Sequence, residues 1–275
     1  VAESRSPEMS ISQPRSGLRR RFGPAEAVAD ELRQRILGGE HYDDGFLPKI
    51  EDLTAEFGVS TTAVREACRI LETEGLISVR RGNQGGSIVH RPSPANVAYT
   101  VGLVLQARRV EMPDVFAAIE RFEPMCAELC AERSDRHETV LPALRRAQDA
   151  LRSATESGDG KAATTAAREW HEALVATCGN ETVEVLLGAL LGTIRAHVAT
   201  EAEEFRARGV APSRELIQRT LDEHDRVQEL IEQGDGPGAM AAARSHLRTA
   251  RIHPADGAEY TSVVRAEAIR DGFVG

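Results

Sequence analysis

Apolar residues recur at helical spacing through most of the chain, and interruptions in that pattern divide it into segments. In the first third, the spacing predicts a helix over residues 24–39, a short helix over 50–57 and a third helix over 61–74. Residues 77–89 then alternate apolar and polar positions on either side of a Gly/Asn-rich turn, which predicts a β-hairpin. Three helices followed by a hairpin indicate a winged helix-turn-helix domain over residues 23–90.

The segments around this first domain differ from it in composition. Residues 1–22 are rich in Ser, Pro and Arg and lack periodicity, so we expect a disordered arm. Two prolines in the stretch RPSPAN predict a linker over residues 91–96. Helical spacing continues over residues 97–253, which predicts an all-α bundle of six to seven helices, and residues 254–275 form a weakly patterned tail. The predicted fold class is therefore mostly α.

Composition and charge narrow the possible functions. Hydrophobic residues make up 41% of the 275 residues and aromatic residues only 4%, a balance that suits packed helices. The net charge of -9 is uneven, because residues 1–91 carry 13 Lys/Arg against 14 Asp/Glu and the remainder carries 21 against 29. We therefore expect the first third of the chain, and not the whole surface, to tolerate a nucleic acid.

Targeting and cysteine patterns point to a soluble protein of the cytoplasm. The chain shows no secretory signal and no run of about 18 apolar residues, so we expect no membrane partner. Its four cysteines show no zinc-finger spacing. We expect them to be small buried residues in a reducing compartment.

The stretch FGVSTTAVREACRILETEGLI places polar and basic side chains on one face of the third predicted helix. Thr61, Arg65 and Arg69 follow one another at intervals of four residues, with Thr62 beside them, while the opposite face is apolar. Such a helix fits the major groove of DNA, where arginine bonds to guanine edges and threonine reaches a phosphate or a thymine methyl group. A solvated surface helix is the alternative, and the preceding turn and following hairpin favour DNA binding over it.

Two further arginines, Arg80 and Arg81, precede Gly82 at the predicted tip of the hairpin. They would bring positive charge to a phosphate or to the minor groove, and the glycines there permit a close approach. One winged helix reaches only a few bases. We therefore expect a homodimer that binds a roughly palindromic operator in double-stranded DNA.

Three histidines, His171, His224 and His246, lie on the apolar stripes of three different predicted helices. A single inward histidine is usually a core residue whose hydrogen bonds are satisfied, and that interpretation stays open for each of them. Three on packed helices suggest a shared ion, because neutral imidazoles suit Zn²⁺ or Ni²⁺. A metal-dependent hydrolase is an alternative function of such a site, although the chain lacks the HExxH spacing of metalloproteases.

A specific resemblance joins the features of the first domain. The run GVSTTAVREACRILETEGLISVRRGNQGGSIV, together with an upstream Leu-Pro pair, resembles the winged-helix domain of the GntR family of bacterial transcription regulators. The resemblance covers residues 24–90. It implies that Arg65 is a DNA contact and that Ser60 and Thr62 bond to phosphates. It also implies that the Arg-Gly pair at residues 81–82 lies in the wing.

Two positions depart from the GntR pattern. Glu51 stands where the family commonly has an arginine, and Thr61 stands where an arginine commonly follows the serine of the turn. Both family positions usually contact DNA, so the operator sequence of better-known relatives does not transfer to this chain. Lys49 and Arg69 are candidates to supply the missing contacts.

Over residues 112–250 the chain resembles the ligand-binding (FCD) domain of the FadR-like branch of this family. The stretches FEPMCAELCAERS, EWHEALVATCGN, EHDRVQELIEQGD and AMAAARSHL carry this resemblance. Metal-binding members of the branch use an Asp, a His four residues later on the same helix and two His on the last two helices. His171, His224 and His246 occupy the histidine positions, whereas Ala167 stands in place of the Asp.

The branch typically senses carboxylic acids or acyl-CoA, which implies a small-molecule effector inside the bundle. Many members carry an arginine four residues before a glutamate that corresponds to Glu123, but Ile119 occupies that position here. Arg121 and Arg195 are the remaining basic candidates for effector binding. The sequence thus predicts a ligand-responsive, DNA-binding transcription regulator, a repressor by the family's habit and not an enzyme. A protein-interaction module whose winged helix binds protein is the other alternative.

Overall fold

The computed structural model describes six stretches of the chain: residues 23–39, 45–80, 86–90, 94–207, 213–250 and 262–271. The chain divides into two compact units, Val1–Arg91 and Pro92–Gly275. The boundary falls inside the segment in which two prolines predict a linker. The predicted arm over residues 1–22 lies outside the described residues.

The described part of the first unit consists of three helices and a two-stranded antiparallel sheet: α1 (Pro24–Leu37), α2 (Ile50–Phe57), α3 (Thr61–Thr73), β1 (Ile77–Arg80) and β2 (Gly86–Val89). The strand register pairs Ile77 with Val89. The apolar faces of the helices share one core, in which Leu32, Leu53 and Leu71 are fully buried. Removal of this apolar surface from water is the main term that stabilises so small a domain.

The turn between α2 and α3 sets the direction of α3. Gly58 ends α2 in the left-handed conformation, with a φ of 62°, which residues with a side chain adopt only at a cost. Ser60 then caps α3, because its Oγ accepts a hydrogen bond from the backbone N–H of Ala63 at 3.2 Å. Val64 and Leu71 are fully buried, so the core holds one side of α3 and leaves the other side in solvent.

The second unit is a helical bundle. Its described helices are α4 (Pro94–Ala107), α5 (Met112–Glu132), α6 (Leu141–Ser157), α7 (Gly160–Ala176), α8 (Glu181–Ala207), α9 (Arg214–Gln233), α10 (Gly236–Ala250) and α11 (Ala266–Asp271). The predicted fold, a winged helix-turn-helix followed by an all-α bundle, is confirmed. Met112, Leu144, Trp170 and Ile231 are among the large side chains that fill the bundle. All four cysteines are buried and free.

Three features of the second unit were not predicted from the sequence. α4 begins at Pro94, inside the predicted linker over residues 91–96, because the fixed φ of proline suits the first turn of a helix. A five-residue π-helical turn, Arg136–Val140, precedes α6. α11 lies within residues 254–275, where the sequence predicted only a tail, and its Ile269 packs against small side chains of α4 and α8. A six-residue helix is too short to show a clear period.

Within the described stretches, none of the helices combines the length and the apolarity that crossing a membrane requires.

Candidate DNA-binding surface and candidate metal centre

The outward face of α3 presents four side chains that the sequence predicts to contact DNA. Thr61, Thr62, Arg65 and Arg69 are all exposed. Arg65 forms no hydrogen bond or ion pair with any described residue, so its guanidinium is available to a ligand. Arg69 pairs with Glu66, with Nη1 3.1 Å from Oε2, but its side chain remains 77% exposed. An exposed pair of this kind is weak and leaves Arg69 able to turn toward an anion.

The arginines of α1 are used differently, because they hold the first unit together. The guanidinium of Arg33 donates to both carboxylate oxygens of Glu74, at 2.8 and 2.7 Å, and so joins α1 to the end of α3. Arg35 donates to Glu31 at 3.0 Å and to Glu56 on α2 at 2.6 Å. These hydrogen bonds raise the pKa of both guanidiniums above its ordinary value. Both arginines are therefore structural, unlike the exposed arginines of α3.

Further predicted DNA contacts lie on either side of α3 in the chain. Lys49 is exposed directly before α2, and Arg80 is exposed at the end of β1. Neither has an ion-pair partner among the residues that the structure describes. Ser60 is exposed too, and its hydroxyl hydrogen remains free to donate while its oxygen caps α3. The predicted wing residues Arg81 and Gly82 lie outside the described residues.

The three histidines that the sequence predicts to share an ion converge inside the second unit. His171 lies on α7, His224 on α9 and His246 on α10. Nε2 of His246 is 3.2 Å from Nε2 of His224 and 3.2 Å from Nε2 of His171. His224 and His246 are buried, and His171 is half-buried. One ligand atom from each ring lies within 4.8 Å of the other two, a spacing that one ion can bridge.

Carboxylates hold the outer nitrogens of two of these rings. Nδ1 of His171 lies 2.5 Å from Oε1 of Glu123, and Nδ1 of His246 lies 2.8 Å from Oε2 of Glu223. An ionised carboxylate only accepts hydrogen bonds, so both imidazoles donate through Nδ1–H and direct Nε2 toward the cluster. Partners of this kind fix the tautomer and orientation of histidines that bind metal ions.

Gln148 of α6 holds the third ring. Its amide nitrogen donates to the backbone carbonyl of Leu221 at 2.9 Å and to Oδ1 of Asp225 at 2.8 Å. Its Oε1 therefore faces Nδ1 of His224, at 3.2 Å, and that imidazole must also donate outward. The indole of Trp170 stacks on the same ring, with centroids 3.9 Å apart and planes 6° apart.

Burial and neighbouring charges set the protonation of the cluster. Burial lowers the pKa of His224 well below its usual range, and it lowers the pKa of His246 despite the hydrogen bond to Glu223. Burial also lowers the pKa of His171, but the charge and hydrogen bond of Glu123 outweigh it, so the net shift is upward. A proton on Nε2 of His171 would donate a hydrogen bond to Nε2 of His246. The lone pairs on Nε2 of His224 and on Nε2 of His246 would still face each other. A cation among the rings would remove that repulsion.

Two buried polar atoms of residues in this cluster have no hydrogen-bond partner among the described residues: Oε2 of Glu123 and Nε1 of Trp170. Both residues are 1% exposed. A buried polar group without a partner costs about 1–3 kcal/mol, so these atoms favour a bound group that supplies the missing contacts. The carboxylate oxygen suits a cation or a hydroxyl donor, and the indole N–H suits an oxygen acceptor.

Another buried histidine, His197 on α8, has both ring nitrogens satisfied by the backbone. Nδ1 donates to the carbonyl oxygen of Thr193 at 2.9 Å, and Nε2 accepts a hydrogen bond from the N–H of Arg265 at 2.8 Å. Its surroundings are therefore those of an ordinary core histidine.

Two known protein families match parts of the chain. The description "Bacterial regulatory proteins, gntR family" matches residues 24–85, and the description "FCD domain" matches residues 114–249. The chain belongs to the GntR family. Its DNA-binding domain is the GntR winged helix, and its bundle is an FCD effector-binding domain. The histidine cluster lies inside the FCD match, and FCD domains often bind metal ions.

Curated relatives of this GntR-family chain are transcription regulators. The HTH-type transcriptional regulator LutR of Bacillus subtilis is 26% identical over 77% of this chain and 92% of its own length. The uncharacterized HTH-type transcriptional regulator YieP of Escherichia coli is 45% identical over 53 residues, which are 19% of this chain and 23% of that protein. The solved structure titled Streptococcus agalactiae GntR shares the fold, with a TM-score of 0.61 at 23% identity over 82% of this chain and 98% of that one.

Three residues of this GntR-family chain depart from the family pattern, and the structure describes the surroundings of each: Glu51, Thr61 and Ala167. Glu51 is exposed in the first turn of α2, where a carboxylate suits the positive end of the helix dipole. Thr61 is exposed at the start of α3. Ala167, which stands in place of the Asp, packs against a small apolar cluster that includes Leu151 and Leu221. Its methyl side chain has no ligand atom.

The two arginines predicted to bind an effector have different surroundings. Arg195 is half-buried on α8, with Nη1 3.8 Å from Oε1 of Glu172. Arg121 is exposed on α5. It lies two residues before Glu123, which is about 200° around the helix and so faces away from the histidines.

Glu123, Glu223 and Gln148 orient the three rings but were not predicted from the sequence. Glu123 lies on the buried stripe of α5, and a glutamate at a core position was the available signal. Glu223 adjoins one histidine in the chain but bonds to the histidine of α10. Only the packing of α9 against α10 reveals that pairing.

Proposed function

We propose that this protein is a homodimeric, ligand-responsive repressor that binds its operator through the outward face of α3 and the wing. The observation that carries the proposal is the exposed guanidinium of Arg65, which pairs with no described residue and stands on a helix fixed by its buried side. In the major groove such an arginine donates two hydrogen bonds to a guanine. The other members of this operator surface are Lys49, Ser60, Thr61, Thr62, Arg69, Arg80, Arg81 and Gly82.

The dimer follows from the reach of one winged helix. A single recognition helix contacts only a few base pairs, so a specific operator needs two copies of the domain on two half-sites. Phosphate contacts from both copies make the affinity fall steeply with salt. A dimer that covers a promoter prevents transcription, and repression is the role we assign to it.

We also propose that His171, His224 and His246 hold a divalent ion, Zn²⁺ or Ni²⁺. Three imidazole nitrogens with lone pairs directed at one point are the donor set that these borderline ions prefer. Because Ala167 supplies no carboxylate, the ion keeps a coordination position for water or an effector. A bound ion would place positive charge inside the bundle.

The effector in this proposal is a small carboxylic acid bound within the bundle. A carboxylate suits both the positive ion and the N–H of Trp170, which has no hydrogen-bond partner among the described residues. It acts as a switch only if it binds more tightly when the two DNA-binding domains take one arrangement than when they take another.

A metal-dependent hydrolase is less well supported by the same site. Glu123 and Glu223 each accept a hydrogen bond from an imidazole nitrogen and so act as positioning groups, and the chain lacks the HExxH spacing that places a general base beside the ion. The curated relatives are transcription regulators.

An electrophoretic mobility shift assay with DNA from upstream of the protein's own gene tests the proposal. We expect a complex with a dissociation constant of about 10 nM or tighter at physiological salt. Carboxylic acids are then added one by one, and the effector is the compound that releases the DNA. A cooperatively folded, metal-loaded protein that shifts no fragment of this region would contradict the proposal.

A further inference from the structure

A second candidate binding site lies on the surface of the bundle, in a cleft between α5 and α10. The cleft has a volume of about 490 Å³ and is lined by Ala117, Glu120, Arg121, Arg244 and Arg248. This volume lies in the range of small-molecule sites, which is about 300–1,000 Å³.

The cleft is separate from the histidine cluster, because the helical period places it on the other side of both helices. Arg244 and Arg248 lie two residues before and two residues after His246 on α10. Arg121 lies two residues before Glu123 on α5. A separation of two residues is about 200° around a helix, so the arginines face outward where the cluster residues face inward.

The positive charge of the cleft is only partly neutralised. Among the described residues, Glu120 is the one acidic side chain that lines the cleft, and its Oε1 is 3.0 Å from Nε of Arg248. Arg121 has no ion-pair partner among the described residues. Arg244 contacts only the weak acceptor Sδ of Met240, at 3.6 Å, within the part of the chain that the structure describes. Three guanidiniums thus face one carboxylate.

This concentration of arginine contrasts with the overall charge of the chain after residue 91, which carries 21 Lys/Arg against 29 Asp/Glu. In an acidic unit, exposed arginines have many possible partners, and several described arginines of the bundle are ion-paired. Arg145, Arg152 and Arg226, for example, each pair with a carboxylate at 2.6 to 3.2 Å. Two guanidiniums that have no carboxylate partner among the described residues repel each other in one cleft, and a bound anion would offset that repulsion.

We propose that this cleft binds a small ligand that carries a phosphate or an oligophosphate group. The planar guanidinium forms paired hydrogen bonds with phosphate oxygens, and two such groups in one cleft suit a ligand with at least two negative charges. A nucleic-acid duplex is a poor fit, because the acidic surface beyond the cleft would repel an extended polyanion. The site would be a second input to the regulator, distinct from an effector inside the bundle.

Isothermal titration of the full-length protein with inorganic pyrophosphate tests this site. Pyrophosphate also binds divalent ions, so the protein is first stripped of metal with a chelator and dialysed. We expect one pyrophosphate per chain, with an affinity that falls about tenfold or more in Arg244→Ala and in Arg121→Ala, since each loses a charge-assisted pair of hydrogen bonds. Arg226→Ala, an exposed arginine of α9 paired with Glu229, is the matched control and should bind like the wild type.

Three results would overturn the proposal. One is the absence of binding to the wild type at millimolar pyrophosphate. Another is equal weakening by the Arg226 control, which would indicate only a general charge effect. The third comes from sedimentation velocity: if Arg244→Glu dissociates the protein and pyrophosphate does not bind, the cleft is an interface between copies. None of these results depends on operator binding or on metal, so they leave the function proposed above untouched.

Discussion

His197 and the three clustered histidines are the same residue type in the same bundle, and their hydrogen bonds separate them. Both nitrogens of His197 are bonded to backbone groups, so the fold uses its full capacity. In the cluster, each outer nitrogen is bonded and each inner nitrogen faces another imidazole at 3.2 Å. Burial of a histidine alone therefore does not indicate a binding site. A better indicator of a site is an oriented side chain with a nitrogen that no donor or acceptor elsewhere in the fold satisfies.

The same distinction applies to the arginines of the first unit. Arg33 is bound to Glu74 through two hydrogen bonds, whereas Arg65 has no partner among the described residues. One guanidinium stabilises the domain, and the other stays available at its surface. If this difference between bonded and available side chains matters for function, substitution of the two kinds of residue should have different effects.

The largest expected effect is the stabilisation of the bundle by metal. Zn²⁺ at one hundred times its dissociation constant should raise the free energy of unfolding of the wild type by about 2.7 kcal/mol, because an ion that binds only the native state stabilises it in proportion to the logarithm of that concentration ratio. His224→Ala should lose this increase, while His197→Ala should be less stable but keep it. Chemical unfolding with and without a chelator measures both. A full zinc response in His224→Ala would show that this imidazole does not hold the ion.

The next effect concerns the operator. Arg65→Ala should weaken specific DNA binding by about 1–3 kcal/mol, the energy of one bidentate arginine–guanine contact. Arg33→Ala should instead lower the free energy of unfolding by up to about 1 kcal/mol and leave the affinity of the folded protein unchanged. Mobility shifts on one operator fragment and urea unfolding of both variants separate the two outcomes. Equal losses of DNA affinity in the two variants would show that the unpaired state of Arg65 has no special value.

A smaller effect is expected from the groups that orient the rings. Glu223→Gln replaces the carboxylate that accepts from His246 with a neutral amide, and it should weaken metal binding by about tenfold, as loss of such an outer partner usually does. Competition with a colorimetric chelator measures this affinity. Glu229→Gln, on the same helix but exposed and paired with Arg226, is the control. If both variants bound metal as the wild type does, Glu223 would have no part in the site.

The smallest effect is expected at Lys49, which stands at the edge of the operator surface. Lys49→Ala should weaken binding to all DNA sequences to a similar extent and reduce the slope of log affinity against log salt by about 1, as loss of one phosphate contact does. Lys161→Ala, an exposed lysine on α7 of the other unit, should leave the slope unchanged. A weaker affinity for the operator alone would assign Lys49 a base contact instead.

Periodicity and turn chemistry were sufficient to predict most of the fold. The stripe of Val64 and Leu71, the glycine that ends α2 and the serine that caps α3 are local features, and each lies where the sequence placed it. The same reasoning placed three histidines on the inner faces of three helices. α11 escaped prediction because its Ile269 is buried by helices that lie far away in the sequence.

Pairing between side chains could not be predicted in the same way. Arg33 and Arg65 both lie on polar helix faces, and only the arrival of Glu74, 41 residues after Arg33, makes the first one structural. Gln148 orients His224 across 76 residues of chain. Such contacts depend on how helices pack, so periodicity identifies the residues that can form a site but not the partners that complete it.

Trp170 is the only tryptophan in the chain, and its indole lies flat against the imidazole of His224. Indole fluorescence is sensitive to the charge and polarity of what touches the ring. Any event that changes the charge on His224 therefore changes the tryptophan emission of the protein. The chain carries its own optical probe at the histidine cluster, and compound libraries can be screened against it without a dye, a label or an added reporter.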